Sequence, residues 1–347
     1  MPKDTPPKIT DRLETPDETV LEVALRPRTI AEYVGQENIK RNLAIAIKAA
    51  QLRGDVLEHV LLAGPPGLGK TTLAHLIAQT MQANLRVTSG PAIERVGDLA
   101  SILTNLEDRD MLFIDEAHRL PRAIEEVLYP AMEAQALDII LGKGTAARTL
   151  RLSLPRFTLL AATTRTGLLS SPLRSRFGQS FRLNFYVPEE IERIIERSAR
   201  ILGVSLDPKA RTRVAAAARM TPRVANRLLK RLRDLAQVES NGKTAHISDA
   251  VAERGLSMLG VDDRGLEELD RSVLRAVIER FVGGPVGVAA IAAALNEEEE
   301  TIADVVEPYL IQIGFLARTP RGRVATAQGY EHLGVTPPSN GGLLETK

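Results

Sequence analysis

Short apolar runs alternate with longer amphipathic stretches through the first half of the chain. The runs at 60–64, 111–115 and 157–164 are almost wholly apolar, which is typical of strands buried on both faces of a parallel sheet. Helix-like segments lie between them, at 71–81 and 123–134. This alternation predicts an α/β domain with a parallel sheet.

One segment breaks the alternation. Residues 137–154 contain two β-prone arms around Gly142, Lys143 and Gly144. Such arms on either side of a glycine-rich turn predict a β-hairpin inserted into the α/β domain.

From about residue 188 to about residue 259 the pattern changes to short amphipathic helices rich in Arg, Ala and Leu. Pro208 and Pro222 follow the potential N-caps Asp207 and Thr221. Proline just after a capping residue is a signal for a helix start, so three or four short helices are predicted here.

The last part of the chain predicts three further helices. Two of them lie at 270–281 and 286–295. Asn296 would cap the third, which begins with Glu297–Glu300 and should run to about Ile313. Acidic residues at that position agree with the positive end of the helix dipole.

A hairpin is predicted at 315–326, with Pro320, Arg321 and Gly322 in its turn. Three helices followed by a two-stranded wing are the pattern of a winged-helix domain.

Composition narrows the class of protein. The chain has 347 residues, no Cys, no Trp and 3% aromatic residues. The absence of Cys excludes disulfides, thiolate metal sites and Cys nucleophiles. No apolar run reaches the ~18 residues of a membrane span, and the polar, Pro-rich start has no signal-peptide segment. We therefore expect a cytoplasmic protein without a membrane partner.

Charge is balanced overall but divided along the chain. The total is 45 basic and 44 acidic residues, a net charge of +1. Residues 188–260 hold 14 basic and 9 acidic side chains, whereas residues 261–347 hold 8 and 14. A nucleic-acid contact would therefore depend on a local basic surface rather than on net charge.

The segment Gly64–Thr71 (GPPGLGKT) matches the complete P-loop pattern between an apolar run and an amphipathic helix. Gly67 and Gly69 allow backbone N–H groups to turn toward a phosphate, and the helix start adds its dipole. Lys70 would neutralise phosphate charge, and the Thr71 hydroxyl would bind Mg²⁺. The spacing predicts a site for ATP.

Asp115 and Glu116 follow the apolar run at 111–115. In a P-loop protein, Asp115 would hold Mg²⁺ and Glu116 would polarise the attacking water. His118 has two interpretations: it senses the γ-phosphate, or it packs at the strand end.

Three weaker signals follow. Thr164 ends the apolar run at 157–164, so its hydroxyl would lie beside the γ-phosphate. Arg174 and Arg176 lie on a loop from which a cation reaches a neighbouring subunit's nucleotide more easily than its own, as an arginine finger does. Arg223 opens a helix and would point back at the γ-phosphate.

The order and spacing of these motifs resemble those of the AAA+ ATPases. Seven strings between about residues 20 and 337 resemble, more specifically, the bacterial Holliday-junction branch-migration motors of the RuvB family. These strings are LRPRTIAEYVGQ (25–36), GPPGLGKTTLAH (64–75), TSGPAIERVGDLA (88–100), LFIDEAHRL (112–120), SPLRSRFG (171–178), TPRVANRLLKR (221–231) and EPYLIQIGFLARTPRGR (307–323).

The resemblance implies which residues bind ATP and Mg²⁺. Thr71 and Asp115 would hold the metal, Thr164 would be the first sensor and Arg223 the second. The implied ATP-binding residues are Leu25, Arg26, Gly64, Gly67, Gly69, Lys70, Thr71, Thr72, Glu133, Thr164, Tyr186 and Arg223.

The implied catalytic residues are Lys70, Asp115, Glu116 and Arg176. Arg176 is preferred to Arg174 as the finger acting in trans, because it occupies the Ser-Arg-aromatic position typical of related fingers. The chain departs from the family pattern at Ala117, Ala134-Gln135 and Met220, and none of these departures removes a catalytic group.

The resemblance also implies the organisation and the activity. The activity would be ATP-driven movement of duplex DNA through a hexameric ring, which drives branch migration in recombination and repair. The hairpin would bind a RuvA-type junction-recognition protein, and a junction resolvase is a further implied partner.

The expected architecture is a flexible tail at 1–24, an α/β P-loop AAA+ large domain at 25–187 containing the hairpin 137–154, an all-α lid domain at 188–260, a winged-helix domain at 261–337 and a flexible tail at 338–347.

Arg318, Arg321 and Arg323 fall in the predicted wing, and no acidic residue lies between Pro308 and Tyr330. Phosphates would repel the preceding helix, which begins with four glutamates. We therefore expect the wing arginines to contact the DNA backbone without reading bases.

Two other functions are compared with the motor. The DEAH helicases share Asp-Glu-Ala-His, but they need a second RecA-like domain, for which the helical second half leaves no room. The remaining alternative is an AAA+ loader or remodeller of another DNA complex. A protein that only binds nucleotide does not require a water-activating carboxylate, so Glu116 favours the motor.

Overall fold

The computed structural model describes residues 23–141, 148–242 and 245–337. They form two compact units. The sheet unit comprises Arg26–Gly64 and Leu68–Asn184, and the helical unit comprises Pro65–Gly67 with the described residues before 26 and from Phe185 onward.

The sheet unit is an α/β fold. Its helices and strands are α1 (Glu37–Arg53), β1 (Val60–Ala63), α2 (Lys70–Met81), β2 (Leu85–Ser89), α3 (Val96–Thr104), β3 (Met111–Asp115), α4 (Arg122–Ala134), β4 (Ala136–Leu141), β5 (Arg148–Ser153), β6 (Thr158–Thr163), α5 (Ser171–Arg174) and β7 (Gln179–Arg182). Five of the strands form a parallel sheet in the order β2-β3-β6-β1-β7.

The three central strands are the three apolar runs of the sequence. They are buried along their length because helices cover both faces of the sheet. Leu61, Leu112 and Leu159 pack with Leu103 of α3 and Leu128 of α4, all at most 2% exposed. The edge strands β2 and β7 were not predicted, because their half-exposed residues do not form apolar runs.

The predicted hairpin corresponds to the antiparallel strands β4 and β5. Their register runs from the Ala136–Ser153 pair to the Leu141–Arg148 pair. The predicted turn residues Gly142, Lys143 and Gly144 lie outside the described residues.

The first part of the helical unit consists of four helices and two short strands. These are α6 (Pro188–Ile201), β8 (Ser205–Leu206), α7 (Pro208–Ala217), α8 (Pro222–Glu239), β9 (His246–Ile247) and α9 (Asp249–Met258). Thr221 caps α8, since its hydroxyl accepts a hydrogen bond from the Val224 amide at 3.4 Å. The predicted cap Asp207 makes no such side-chain bond to the start of α7. Its carboxylate instead lies 3.4 Å from His246.

The remaining described residues form a winged helix. Its elements are α10 (Glu268–Arg275), α11 (Val288–Leu295), α12 (Glu299–Thr301), α13 (Glu307–Gln312), β10 (Leu316–Thr319), β11 (Gly322–Ala325) and α14 (Ala327–His332), with π-helical turns at Ala276–Arg280 after α10 and Ile302–Val306 between α12 and α13.

The predicted cap at Asn296 is wrong. Asn296 has a left-handed backbone, with φ 54°, and ends α11 instead of starting the next helix. Asn tolerates this conformation better than most residues do, so it serves as well at a helix end as at a helix start. The following helix begins two residues later than predicted, after Glu298.

The wing is fixed to the helix before it by a buried ion pair. Arg323 donates from Nη2 to Glu307 at 2.8 Å and from Nε at 3.1 Å, and these side chains are only 13% and 5% exposed. The Arg323 backbone also exchanges two hydrogen bonds with Val286. Arg318 lies 3.9 Å from the same carboxylate and is 68% exposed.

Within the residues that the structure describes, no helix is both long enough and apolar enough to cross a lipid bilayer.

Replacement of Arg323 by Met should destabilise the protein far more than the same change at Arg318. Arg323→Met removes both hydrogen bonds to the buried Glu307 carboxylate, which costs about 3 kcal/mol. Arg318→Met is the matched control and should cost less than about 0.5 kcal/mol because it removes only an exposed charge. Urea denaturation measures both, and equal losses would contradict the assignment.

Candidate nucleotide site and candidate DNA face

The P-loop joins β1 to α2 and is closed by its own lysine. Lys70 is 7% exposed, and its ammonium group donates to the Gly64 carbonyl at 2.8 Å. Gly64 in turn donates its N–H to the Thr163 carbonyl at the end of β6, at 3.1 Å. The lysine charge is therefore held at the start of α2, where the helix dipole also favours an anion.

Tyr33 supports the second half of the loop. It is 4% exposed, and its hydroxyl donates to the Leu68 carbonyl at 3.2 Å. Gly69 has φ +93°, and a Cβ there would lie 2.9 Å from the Tyr33 hydroxyl. Only glycine satisfies both the backbone angle and the close approach.

Thr71 and Asp115 bring two hard oxygen donors together. The Thr71 hydroxyl donates to Asp115 Oδ2 at 3.1 Å, so the first turn of α2 meets the carboxyl end of β3. No cluster of three or more His, Cys, Asp or Glu side chains occurs within the described residues. A hydroxyl and one carboxylate, completed by phosphate oxygens and water, form a donor set that Mg²⁺ uses. These residues therefore fit that ion.

Glu116 follows Asp115 in a left-handed conformation, with φ 50°. Its N–H donates to Asp115 Oδ1 at 2.9 Å, which restrains the Asp115 carboxylate at the end of β3. His118 Nδ1 lies 3.4 Å from Glu116 Oε2 and 3.1 Å from Thr163 Oγ1. His118 thus connects Glu116, the predicted base, to Thr163 at the end of β6. The sequence does not predict the contact with Thr163, because the two residues are 45 positions apart.

The two threonines at the end of β6 have different partners. Thr163 Oγ1 contacts His118 and accepts the Arg165 N–H at 3.0 Å. Thr164 Oγ1 is buried and, among the residues described, has no hydrogen-bond partner. A buried hydroxyl without a partner is costly, so a ligand oxygen would be stabilised there. The first sensor predicted at Thr164 has this property.

Arg176 is held by three groups of the sheet unit. Its Nε lies 3.1 Å from Glu133 Oε1, as an ion pair without hydrogen-bond alignment, and its guanidinium is 4.7 Å from the centre of the Tyr129 ring. Its Nη1 donates to the Pro172 carbonyl at 2.7 Å. The predicted finger and the predicted ATP contact Glu133 are therefore neighbours.

His59 anchors the end of α4 near Glu133. Its Nδ1 accepts the Leu159 N–H at 2.9 Å, so its proton lies on Nε2 and is donated to the Met132 carbonyl at 3.2 Å. Burial lowers the pKa of His59, which keeps the ring neutral in this role.

Arg26 and Thr72 lie on the sheet unit as well. Thr72 is half-buried on α2. Burial, and then the positive charge of Arg26, lowers the pKa of His75 on the same helix. The predicted nucleotide contact Arg26 is therefore near enough to the P-loop helix to act on it electrostatically.

The helical unit carries the other predicted nucleotide contacts. Tyr186 is 2% exposed and donates its N–H to the Met220 carbonyl at 3.0 Å. The Arg223 N–H points at the Gly67 carbonyl at 3.4 Å, a long contact. Leu25 is buried, and its carbonyl accepts a bond from Arg197 at 2.7 Å.

The candidate DNA face differs from the expectation in one residue. Arg321 is exposed at the wing turn, and Arg318 is exposed on β10. Arg323 is committed to Glu307, which lies one residue before the acid-free stretch noted in the sequence. Two of the three predicted arginines are therefore accessible to phosphate.

Three family models match the chain in order and cover the two units. They are the Holliday junction DNA helicase RuvB P-loop domain at residues 25–183, the RuvB AAA lid domain at 186–262 and the RuvB C-terminal winged helix domain at 263–334.

A curated relative from Dehalococcoides mccartyi (strain CBDB1), the Holliday junction branch migration complex subunit RuvB, is 59% identical over 319 residues. The match covers 92% of this chain and 90% of the relative.

Solved structures are similar over the same length. The Thermotoga maritima RuvB Holliday junction branch migration motor is 49% identical, with a TM-score of 0.83 over 91% of this chain and 100% of that one. A point variant of the same protein matches 90% of this chain with a TM-score of 0.84. The expected fold, a P-loop domain followed by a lid and a winged helix, is confirmed. The chain belongs to the RuvB family of AAA+ ATPases.

Proposed function

We propose that the chain is the subunit of a hexameric ring that uses ATP hydrolysis to pull duplex DNA and so drives branch migration of Holliday junctions in the cytoplasm. The observation that carries the proposal is the convergence of Lys70, Thr71, Asp115 and Glu116 at the carboxyl end of the parallel sheet, beside the unpartnered Thr164 hydroxyl. The names of the relatives support the substrate and the process.

Hydrolysis needs charge neutralisation and an oriented water. Lys70 would bind the β- and γ-phosphates, and Thr164 would donate to a γ-phosphate oxygen. Thr71 and Asp115 would hold Mg²⁺, which supplies positive charge to the phosphates when it is bound. Glu116 follows Asp115 directly and would accept the proton of the attacking water.

Arg176 would complete the site of the neighbouring subunit. Glu133 and Tyr129 hold its guanidinium in place, and Glu133 is 60% exposed. An arginine preorganised at a surface stabilises charge that develops on a transferring phosphoryl group. Arg223, in contrast, would sense the nucleotide of its own subunit from the lid.

The wing and the hairpin would contact the partners. Arg318 and Arg321 are exposed and would bind DNA phosphates, which positions the duplex without reading its sequence. On the hairpin, Leu150 is 44% exposed. An exposed leucine favours an apolar contact there with a RuvA-type junction-recognition protein.

Glu116→Gln should retain ATP binding and lose turnover. The amide keeps the size of the side chain but cannot accept the proton of water, so kcat should fall about 10²–10⁴-fold. Steady-state ATPase assays and nucleotide titration measure the two effects. Glu126→Gln, exposed on α4, is the matched control and should hydrolyse ATP normally. Unchanged kcat in Glu116→Gln would remove Glu116 from the role of base.

Arg176→Ala subunits mixed with Lys70→Ala subunits should regain ATPase activity that neither has alone. In a random ring of equal parts, about a quarter of the interfaces combine an intact Lys70 with an intact neighbouring Arg176, so about a quarter of the activity should return. Arg174→Ala is the control and should remain active by itself. No recovery in mixtures that assemble into rings would contradict a finger acting in trans.

Arg318→Gln with Arg321→Gln should weaken DNA binding equally for unrelated duplex sequences. Loss of two phosphate contacts should reduce the slope of log affinity against log salt by about 1.8. Fluorescence anisotropy at several salt concentrations measures it. Arg275→Gln, a half-exposed arginine on α10, is the matched control. A loss confined to particular sequences would exclude contact through the backbone.

A further inference from the structure

The turn before α8 has an unusual backbone. Arg219 and Met220 both have left-handed conformations, with φ 52° and 55°, immediately before the cap residue Thr221. Side chains larger than glycine adopt this conformation at a cost, and consecutive ones persist only where the surroundings hold them. The contacts of Arg219 are therefore expected to determine the conformation of this turn.

Arg219 reaches out of the lid into the winged helix and is enclosed by it. Its Nη1 donates to Asp270 Oδ2 at 2.9 Å, and its Nη2 donates to the Val305 carbonyl at 3.0 Å. Its guanidinium lies 4.8 Å from the centre of the Tyr309 ring. The side chains of Arg219 and Asp270 are 7% and 1% exposed. One lid side chain thus binds three separate elements of the winged helix.

The partners of Arg219 are themselves fixed. Asp270 Oδ2 also accepts the Glu267 N–H at 2.8 Å, at the start of α10. Burial raises the pKa of the Asp270 carboxyl, while the charge of Arg219 acts in the opposite direction. The Tyr309 hydroxyl donates to the Arg264 carbonyl at 2.5 Å. A buried carboxylate and a buried guanidinium each require the other, so the contact resists separation.

The residues after Arg219 lead directly to the predicted nucleotide sensor. Met220 packs against the winged-helix core, and its carbonyl accepts the Tyr186 N–H. Thr221 caps α8, and Arg223 follows in the first turn of that helix. Only three residues therefore separate Arg219, which makes the winged-helix contact, from Arg223, and the chain between them is held by hydrogen bonds.

A second lid arginine contacts the winged-helix segment but is not comparable. Arg213 pairs with Asp249 of the lid at 2.7 Å, and its Nη1 is 3.7 Å from Asp263, whose side chain is 92% exposed. An exposed pair of this kind contributes little and does not order a turn. Arg213 is on α7 and has no contact with the turn at 219–221 in the described hydrogen bonds, so it is a suitable control.

We propose that Arg219 is a positioning residue through which the winged-helix domain holds the turn that presents Arg223 to the nucleotide. A load on the winged helix would then act on Arg223 directly, and a change at the nucleotide would act on the winged helix by the same connection. The proposal rests on the nucleotide role of Arg223 and the DNA role of the wing given above.

The variant for the test replaces both members of the buried pair, as Arg219→Met with Asp270→Leu. Replacement of Arg219 alone would leave a buried carboxylate and risks unfolding, whereas paired apolar replacements of a buried ion pair are often tolerated. Circular dichroism and urea denaturation establish that the double variant is folded. Arg213→Met is measured beside it.

The first measurement is the distance between the lid and the winged helix. Since the chain has no Cys, spin labels at Val238→Cys and Val282→Cys report on one pair of sites. Both positions are exposed, at 76% and 77%. The double variant should broaden the distance distribution about twofold, as expected when two domains lose a buried connection. Arg213→Met should leave it unchanged. An unchanged width in the double variant would overturn the proposal.

The second measurement separates positioning from simple damage. In the otherwise native chain the double replacement should lower kcat/KM for ATP about tenfold. In a chain that already carries Arg223→Ala, the double replacement should lower kcat/KM less than about twofold. The effects are not additive because Arg219 acts through Arg223. The same factor in both chains would overturn the proposal. Normal turnover of Arg223→Ala alone would instead contradict the nucleotide role of Arg223 in the proposed function. The distances between the spin labels do not depend on hydrolysis, so they would still decide whether Arg219 holds the winged helix.

Discussion

The hydrogen bond from Thr71 to Asp115 is the contact on which the proposed nucleotide site depends, because it joins the first turn of the P-loop helix to the carboxyl end of β3. Parallel strands end at one edge of their sheet, so β1, β3 and β6 bring the P-loop, the acidic pair and the predicted sensor Thr164 to the same edge. The buried Lys70 and the unpartnered Thr164 hydroxyl lie at this edge, where the proposed function places the phosphates.

In the helical unit, buried ion pairs stabilise contacts between elements of the fold. Arg323 with Glu307 fixes the wing, and Arg219 with Asp270 fixes the winged helix to the lid. Both pairs are almost inaccessible, so they act as internal connections rather than as surfaces for DNA. The net charge of +1 does not show that some arginines are buried in such pairs whereas others, such as Arg318, are exposed.

Much of the fold could be predicted from local pattern. The central strands are buried on both faces, so their sequences are apolar throughout, whereas β2 and β7 are half-exposed and have no such signature. Asn296 was assigned to a helix start because four glutamates follow it, but its left-handed backbone ends the previous helix.

The candidate site was predictable where its chemistry lies in contiguous motifs, as at Lys70, Asp115 and Glu116. Contacts between distant residues were not. His118 meets Thr163 across 45 positions, and Arg219 meets Asp270 across 51. The sequence predicts an accessible Arg323, because the wing itself has no acidic residue and Glu307, its partner, lies 16 positions earlier in the chain. Such contacts depend on tertiary packing, so the spacing of residues along the chain does not predict them.

Coupling of ATP hydrolysis to branch migration is measured most directly by the dissociation of a synthetic four-way DNA junction in the presence of a RuvA-type protein. With ATP the chain should separate the junction into duplex arms, whereas Glu116→Gln should bind the junction without separating it. Hydrolysis of ATP on bound junctions that stay intact would contradict this coupling.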